Sequence, residues 1–484
     1  MCDGRAPLYE ALLRTVGRSR FHVPAHGAAA WVGEPRERFA GVLAVDQTEI
    51  PGLDDLHHAE GVVRQAEEGA ARAFGALRTR FLVGGATAGV LAAVLAVSEG
   101  RPEGVWLAGR DAHQSFYHAL MFAGAEAVLI APEIDAYGRP LGYDWSRFCD
   151  VVRREAVRGV FLTTPTYFGQ HRPLGSLIRC LRAKDIPVIV DQAHGGHFGL
   201  HAKTPPSALR EGADVVVHST HKSLGALTMA AMLHLGTRRV DADAVDSALL
   251  RIQSSSPSYP LLASLDLVQK WIHDGTIIRL LEQAVDVAQA LEAELSSALP
   301  GVVLSHDDPL RLPLVAPRGL GSAMAEALGR RGVDVELVFG DVVLAVVGLG
   351  TTMEDVRRLL DGVAAFWQAV GTTPKEAEGD GRAEHAGPSA QRMPQTRPIG
   401  ESLRWPPEER VRFTLPRGRR TRLPFHMAVG AVLAESLVPY PPGIPWAFAG
   451  TRLDGETIAL IEGYLAAGGR VHGVGADRTV SVMV

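Results

Sequence analysis

The chain has 484 residues, 46% of them hydrophobic and 21% charged, which is enough for a large core and more than one ordinary domain. A formal net charge of -5, with 49 basic against 54 acidic residues, supplies no basic field or arm for a phosphate backbone, so nucleic acid is not an expected partner. The longest apolar stretches, such as residues 86–97, are too short to span a bilayer, and the N-terminus lacks a basic-then-apolar leader pattern; a cytoplasmic protein with no membrane contact is expected.

Residues 59–240 alternate helical and strand patterns, which predicts an α/β domain on a mostly parallel sheet. The spacing of Val62, Val63, Ala66, Ala70, Ala73 and Phe74 predicts an amphipathic helix over 59–76. A strand at 80–83, a glycine-rich turn and a helix opening near Thr87 follow. Short apolar runs bounded by Gly, Pro or Asp predict buried strands at 104–108, 127–131, 159–163, 187–191, 214–218 and 228–235. Residues 242–295 read as helical. A smaller α/β pattern comes next, with strands at 310–315, 333–338 and 342–347 and helices at 321–331 and 353–370. Residues 371–408 lose periodicity and are rich in Pro, Gly, Glu, Ala and Arg, as a solvated linker is. The expected division is an N-terminal segment with a large domain (1–265), a small α/β domain (266–370), a linker (371–408) and a C-terminal domain (409–484).

Three cysteines, Cys2, Cys149 and Cys180, are widely spaced with no C-x-x-C, which predicts neither a disulfide framework nor a thiolate metal site. The 18 histidines cluster, notably at His194, His197 and His201. Their H-x-x-H-x-x-x-H spacing is interrupted by Gly195, Gly196 and Gly199, unlike a zinc-binding helix face, so no metal is expected and these side chains are assigned to the lining or floor of a cofactor pocket.

Several chemistry-bearing residues fall at the ends of expected strands. Gly84-Gly85-Ala86-Thr87-Ala88-Gly89 follows one strand and opens a helix, so its free N–H groups fit an anion, although a tight turn alone would read the same way. Asp191 ends the apolar run Ile186-Pro187-Val188-Ile189-Val190, where open α/β sheets place ligands; it is suited to a protonated ring nitrogen or, more plainly, to a turn. Lys222 follows Asp214-Val215-Val216-Val217-His218 and is flanked by Ser219, Thr220, His221 and Ser223, an odd setting for a solvated lysine and a good one for an amine that captures an aldehyde. His113 follows another strand and is placed to stack on a ring. A phosphate cradle, an acid for a pyridine and an aldehyde-capturing lysine together describe a site for pyridoxal 5'-phosphate (PLP).

With these residues in view, the chain resembles the Orn/Lys/Arg decarboxylases, PLP enzymes of fold type I, in the short bacterial form without an N-terminal wing domain. The resemblance runs over nearly the whole chain: Phe21-His22-Val23-Pro24-Ala25-His26, Thr48-Glu49-Ile50-Pro51-Gly52-Leu53-Asp54-Asp55-Leu56-His57, the His113 segment, Pro165-Thr166-Tyr167-Phe168-Gly169, Asp191-Gln192-Ala193-His194-Gly195, Ser219-Thr220-His221-Lys222, Ser255-Ser256-Pro257-Ser258-Tyr259 and Val438-Pro439-Tyr440-Pro441-Pro442-Gly443-Ile444-Pro445. It implies an aspartate aminotransferase-like α/β fold and decarboxylation of lysine, arginine or ornithine to the amine, in amino-acid and polyamine metabolism. It also implies Lys222 as the Schiff-base lysine, Asp191 as partner of the pyridine nitrogen and His113 as the stacking residue, with Ala86, Thr87, Ser219 and His221 around the phosphate and His194 in the pocket. His221 or Lys222 would return a proton to the substrate carbon. A homodimer or higher homo-oligomer with shared sites is implied, residues 51–57 and 255–259 serving a neighbouring subunit.

Three positions depart from the family pattern: Gly27 stands for a lysine, Gln192 for a glutamate, and Gly84 for Asn or Gln. Recognition of a distal substrate cation calls for a carboxylate, and Glu49, Asp54, Asp55 and Glu336 are the candidates. The reshaped pocket also admits a PLP-dependent oxidase or aminotransferase, and a non-catalytic interaction subunit is the reading from a different class.

Overall fold

The computed structural model describes residues 4–27, 32–371, 373–374 and 403–484. The expected linker at 371–408 lies largely outside the described residues. Two compact units emerge: the first comprises 1–107, 148–164 and 173–281, the second 108–147, 165–172 and 282–484.

The strands in chain order are β1 (Arg78–Leu82), β2 (Val105–Gly109), β3 (Glu126–Ile130), β4 (Val157–Thr163), β5 (Val188–Asp191), β6 (Val215–His218) and β7 (Ala231–Leu235). The first unit carries the order β1-β7-β6-β5-β4-β2. Its middle, β4-β5-β6, is parallel, while β7 runs antiparallel to β1 and β6. Every residue of β5 and β6 is buried, which is why each reads as an unbroken apolar run ending in one polar residue, Asp191 or His218.

The helix Gly85–Gly100 packs tightly on this sheet because of Gly89. A Cβ there would meet Leu82 Cδ1 at 2.7 Å and Val217 Cγ1 at 2.9 Å, so any side chain would push the helix off β1 and β6. The helix thus begins where β1 ends, which is how its N-terminus comes to the sheet edge that carries Asp191 and Lys222. The helix Val62–Phe74 is shorter at both ends than the apolar spacing predicts; it stops at Gly75, in the left-handed region at φ 73°.

In the second unit β3 pairs antiparallel with β11 (Glu408–Arg412), and β8 (Arg311–Val315), β9 (Leu337–Phe339) and β10 (Val342–Val346) form an antiparallel sheet in the order β8-β10-β9. The helix Met353–Val370 matches its expected bounds, held by a capping box between Thr352 and Asp355. Further on, β12 (Arg420–Pro424) pairs with β15 (Thr479–Met483), and β13 (Val438–Pro439) with β14 (Val471–His472). Leu337, Phe339, Val342 and Leu344 share one apolar core with Phe168 and with Phe425, Leu433, Trp446, Ile461, Tyr464 and Val480. The small sheet and the C-terminal region are therefore energetically one body, since neither buries its apolar face without the other. Among the described residues no helix is long and apolar enough to cross a membrane.

Candidate active site

Strand ends gather the expected residues of the first unit. Asp191 closes β5 and is 5% exposed. Its Oδ1 accepts from Ala193 N at 3.0 Å, and among the described residues no donor engages Oδ2. Burial raises the pKa of this carboxyl above the ordinary Asp value, opposed by the Ala193 amide and then by the Lys222 charge. A buried carboxylate with one oxygen unengaged is poised for a cationic partner, because leaving it unpaired carries a desolvation cost.

Lys222 lies in the short helix Thr220–Ser223 directly after β6, not on the strand itself. Its side chain is exposed and its Nζ stands 2.9 Å from His194 Nε2, so His194 is the partner that orients the amine. On either side, Thr220 Oγ1 and Ser223 Oγ are buried with no hydrogen-bond partner among the described residues. His221 directs Nδ1 to Ala230 O at 3.0 Å. A carbonyl only accepts, so Nδ1 carries the proton and Nε2 a lone pair. Burial lowers the His221 pKa, Ala230 opposes this, and Lys222 adds to it; the ring is neutral near pH 7.

The helix Gly85–Gly100 begins beside this group with no side-chain cap and no acidic residue in its first turn. Gly85 takes φ 71° with open space where a Cβ would sit, Thr87 is exposed and Ala86 partly so. Gly85 N donates to Met229 O at 3.0 Å, so the amides that follow it and the positive helix end are what face an anion. Ser219 is buried at the start of the Lys222 helix.

Beneath these residues runs a chain of hydrogen bonds that no local sequence signal announces. Thr79 Oγ1 lies 2.8 Å from His234 Nδ1, His234 Nε2 3.1 Å from His218 Nδ1, and His218 Nε2 3.1 Å from Gln192 Oε1, which also accepts from Ala208 N at 3.3 Å. The Ala208 amide fixes Oε1 as the acceptor, so every proton follows: His218 and His234 are both neutral with the proton on Nε2, and Thr79 donates. All four side chains are buried, and burial pushes His218 down to about 3, with His197 adding to the effect. Gln192 is thus the neutral terminus of a relay crossing β1, β7, β6 and the end of β5.

The histidine triplet separates. His194 meets Lys222, His197 is buried edge-on to Phe198, and His201 accepts from Lys203 N through Nδ1.

His113 belongs to the second unit. It caps the helix Gln114–Ala123, accepting from Ser115 N at 3.2 Å, with Ser115 Oγ 2.9 Å from the same nitrogen. Nearby, Asp111 forms a buried pair with Arg172 at 2.7 Å and accepts from Tyr143 OH, holding the turn that carries His113.

The substrate-carboxylate candidates scatter. Asp54, at φ 70°, accepts from the amides of Asp55, Glu60, Gly61 and Val63 at 2.7–3.1 Å, so both its oxygens are engaged in fixing the loop. Asp55 accepts from His57 N at 2.8 Å, and Glu49 is exposed beside Thr48. Glu336, in the second unit, accepts from Tyr167 OH at 2.5 Å. The 48–57 loop does meet the 255–259 segment: Tyr259 OH donates to Asp54 O at 2.5 Å, and His57 Nε2 lies 3.0 Å from Ser254 O.

Comparison with known proteins shows the family and the fold. The family model described as Orn/Lys/Arg decarboxylase, major domain, matches residues 6–308. The chain is 34% identical over 490 residues to the Bacillus subtilis protein YaaO, covering 96% of both chains, and 30% identical over 494 residues to the arginine decarboxylase of Bacillus subtilis, covering 98% of this chain and 96% of that one. Among solved structures, the Francisella novicida lysine decarboxylase LdcF has a TM-score of 0.75 at 18% identity, covering 99% of this chain and 81% of its own. The constitutive lysine decarboxylase of Escherichia coli has a TM-score of 0.75 at 20% identity, covering 99% and 82%. An SPT structure with PLP has a TM-score of 0.51 at 16% identity over 64% of this chain and 77% of that one, the same PLP-enzyme fold in a second setting. The α/β fold expected from the strand pattern is the one these structures share, and the chain belongs to the Orn/Lys/Arg decarboxylase family.

Proposed function

We propose that this chain is a PLP-dependent decarboxylase that removes the α-carboxylate of lysine, arginine or ornithine as CO2 and leaves the amine. The observation that carries it is the pairing of an accessible Lys222 amine, held by His194, with the buried Asp191 carboxylate whose Oδ2 is unengaged. The residues fit the cofactor: an amine for an aldehyde, an acid for a protonated ring nitrogen, orphaned hydroxyls at Thr220 and Ser223, and an uncapped helix start for a phosphate. Relatives named arginine decarboxylase and lysine decarboxylase support the substrate class.

When bound, PLP supplies an aldehyde that captures amines and a pyridinium ring that withdraws electrons from the substrate's α-carbon. Lys222 would be the residue that holds the aldehyde and frees the product amine. Asp191 keeps the ring nitrogen protonated, and its burial strengthens that interaction because the surroundings screen it poorly. Ala86, Thr87, Ser219 and His221 would hold the phosphate, and His113 is the residue expected to stack on the ring. Of the two groups expected to return a proton to the substrate carbon, His221 is neutral with its one N–H engaged by Ala230, so Lys222 takes that role. For the distal cation of the substrate, Glu49 and Glu336 are favoured over Asp54, whose oxygens already serve the loop.

The functional enzyme is read as a cytoplasmic homodimer or higher homo-oligomer of amino-acid and polyamine metabolism. Exposed Phe21, Val23 and Val32, at 99%, 66% and 80%, support a covering partner copy. The proposed division is a large domain over 1–265, a small α/β domain over 266–370 and a C-terminal domain over 409–484, the last two joined by their shared core so that cleavage between them leaves the pieces associated.

The test is incubation of the PLP-loaded protein with each of the three amino acids and identification of products by mass. Amine and CO2 without oxygen uptake are expected. A keto acid or oxygen dependence would replace this reading with an oxidase or aminotransferase. Lys222→Ala should abolish both turnover and borohydride fixation of the cofactor; unchanged fixation would remove Lys222 from its role.

A further inference from the structure

Cys149 lies in the helix Trp145–Arg154 and Cys180 in the helix Gly175–Arg182, both within the first unit. The sequence presents them as unrelated small apolar residues. The fold brings their Sγ atoms to 3.1 Å, inside ordinary sulfur–sulfur contact, and leaves both side chains partly exposed. Around them, Phe148, Ile178 and Leu181 are buried, so the two helices are fixed against the core while the sulfurs stand toward its edge. Neither thiol has a place in the proposed catalytic arrangement.

We propose that Cys149 and Cys180 form a dithiol modification site that takes a reversible two-electron oxidation by a hydroperoxide, joining the two helices through a disulfide. The chemistry balances without any further reagent. One thiolate attacks the peroxide oxygen; the O–O bond breaks, an S–O bond forms, and the alcohol or water leaves. The second sulfur then displaces hydroxide from the first, which departs as water with the second thiol's proton as the S–S bond forms. Two thiols are oxidised and one peroxide is reduced. Reversal is ordinary exchange with an added dithiol.

The reduced state is the resting one, with Cys149 donating its S–H to Cys180. Burial, followed by the neighbouring sulfur, pushes the Cys149 thiol up to about 11. Thiolate at that sulfur is therefore scarce at neutral pH, and oxidation quickens as the pH rises. Once closed, the bridge spans a separation of 31 residues and restricts the unfolded chain, so the oxidised form melts at a higher temperature than the reduced form.

The experiment uses the full chain carrying Cys2→Ser, which leaves these two thiols alone. After treatment with tert-butyl hydroperoxide at mildly alkaline pH, both titratable thiols are expected to disappear, the mass of the monomer to fall by two hydrogens, and digestion to release a peptide pair joined at Cys149 and Cys180 that dithiothreitol separates. With Cys149→Ser added, the mass should instead rise by oxygen at Cys180. Retention of both thiols, oxygen added separately to each sulfur, or a bridge found only between two chains would overturn the proposal.

Discussion

Gly443 lies against the His113 ring: a Cβ at residue 443 would stand 2.7 Å from His113 Cδ2 and 2.9 Å from Nε2, and Gly443 O accepts from Gln114 N at 2.9 Å. At φ 83° the position also disfavours any side chain. The C-terminal Pro442-Gly443 turn therefore sets the tilt of the ring proposed to stack on the cofactor. Gly443→Ala should lower kcat/KM by about ten- to a hundredfold, as a displacement near 1 Å does, and weaken PLP binding in an absorbance titration. Normal PLP affinity and turnover in a folded Gly443→Ala protein would separate the turn from the site.

Asp191→Asn keeps the shape and an acceptor for Ala193 N while removing the charge facing a protonated ring nitrogen. The expected outcome is a folded protein that still binds PLP at Lys222 and loses about a hundredfold or more in kcat. Because burial opposes ionisation at this position, the neutral side chain should cost no stability, and a denaturation curve at pH 7 should match or exceed that of the parent. A large fall in stability with kcat unchanged would contradict the assignment.

Asp191 and Lys222 were legible in the sequence because each follows an apolar run that a buried parallel strand requires, and a polar residue ending such a run stands out. The same logic placed Gly84 to Thr87 at a helix start. The strand ahead of residue 235 begins at Ala231 and not at residue 228, because Met229 takes φ 76°, a turn conformation that apolarity does not reveal. The relay was not legible at all: Thr79 and His234 are separated by 155 residues, and only the strand order β1-β7-β6-β5 makes them neighbours. Gln192, conspicuous as a departure from the family pattern, acquires its reason only there, as a neutral acceptor for a neutral histidine. Cys149 and Cys180 were missed for the same cause, since helix-to-helix contact carries no local spacing.

The relay makes a prediction of its own. His218 and His234 should appear in 15N spectra as neutral rings protonated at Nε2, with His218 unchanged between about pH 5 and 8, since burial keeps it from taking a second proton in that range. Replacing His234 with Phe leaves His218 Nδ1 a buried acceptor without its donor, a cost of about 1–3 kcal/mol in urea denaturation. Thr79→Val removes only the outermost donor and should cost less, and the double variant should fall short of the sum because both act on one chain of bonds. Strict additivity would dissolve the relay into separate contacts.

Glu67 gives the fold a pH dependence of its own, outside the proposed active site. The side chain is buried; its Oε1 accepts from Phe81 N at 2.8 Å and its Oε2 lies 3.3 Å from Arg80, which is held mainly by Asp246 at 2.6 Å. Burial raises its pKa from 4.5 to about 7, with Arg80 and then the Phe81 amide opposing. Below 4.5 both folded and unfolded chains hold the proton, and no penalty arises. Between 4.5 and 7 the folded chain keeps a proton that the unfolded chain has released, so stability falls as the pH rises, and above 7 the loss is complete at about 3 kcal/mol. Glu67→Gln retains the acceptor for Phe81 and cannot ionise. It should match the parent near pH 5 and exceed it near pH 8 in chemical denaturation. Asp266, raised to about 6 mainly by burial, lends a slope of the same sign to both proteins, so the difference between them isolates Glu67. A difference that stays constant from pH 5 to 8 would show that Glu67 is already ionised in the folded chain.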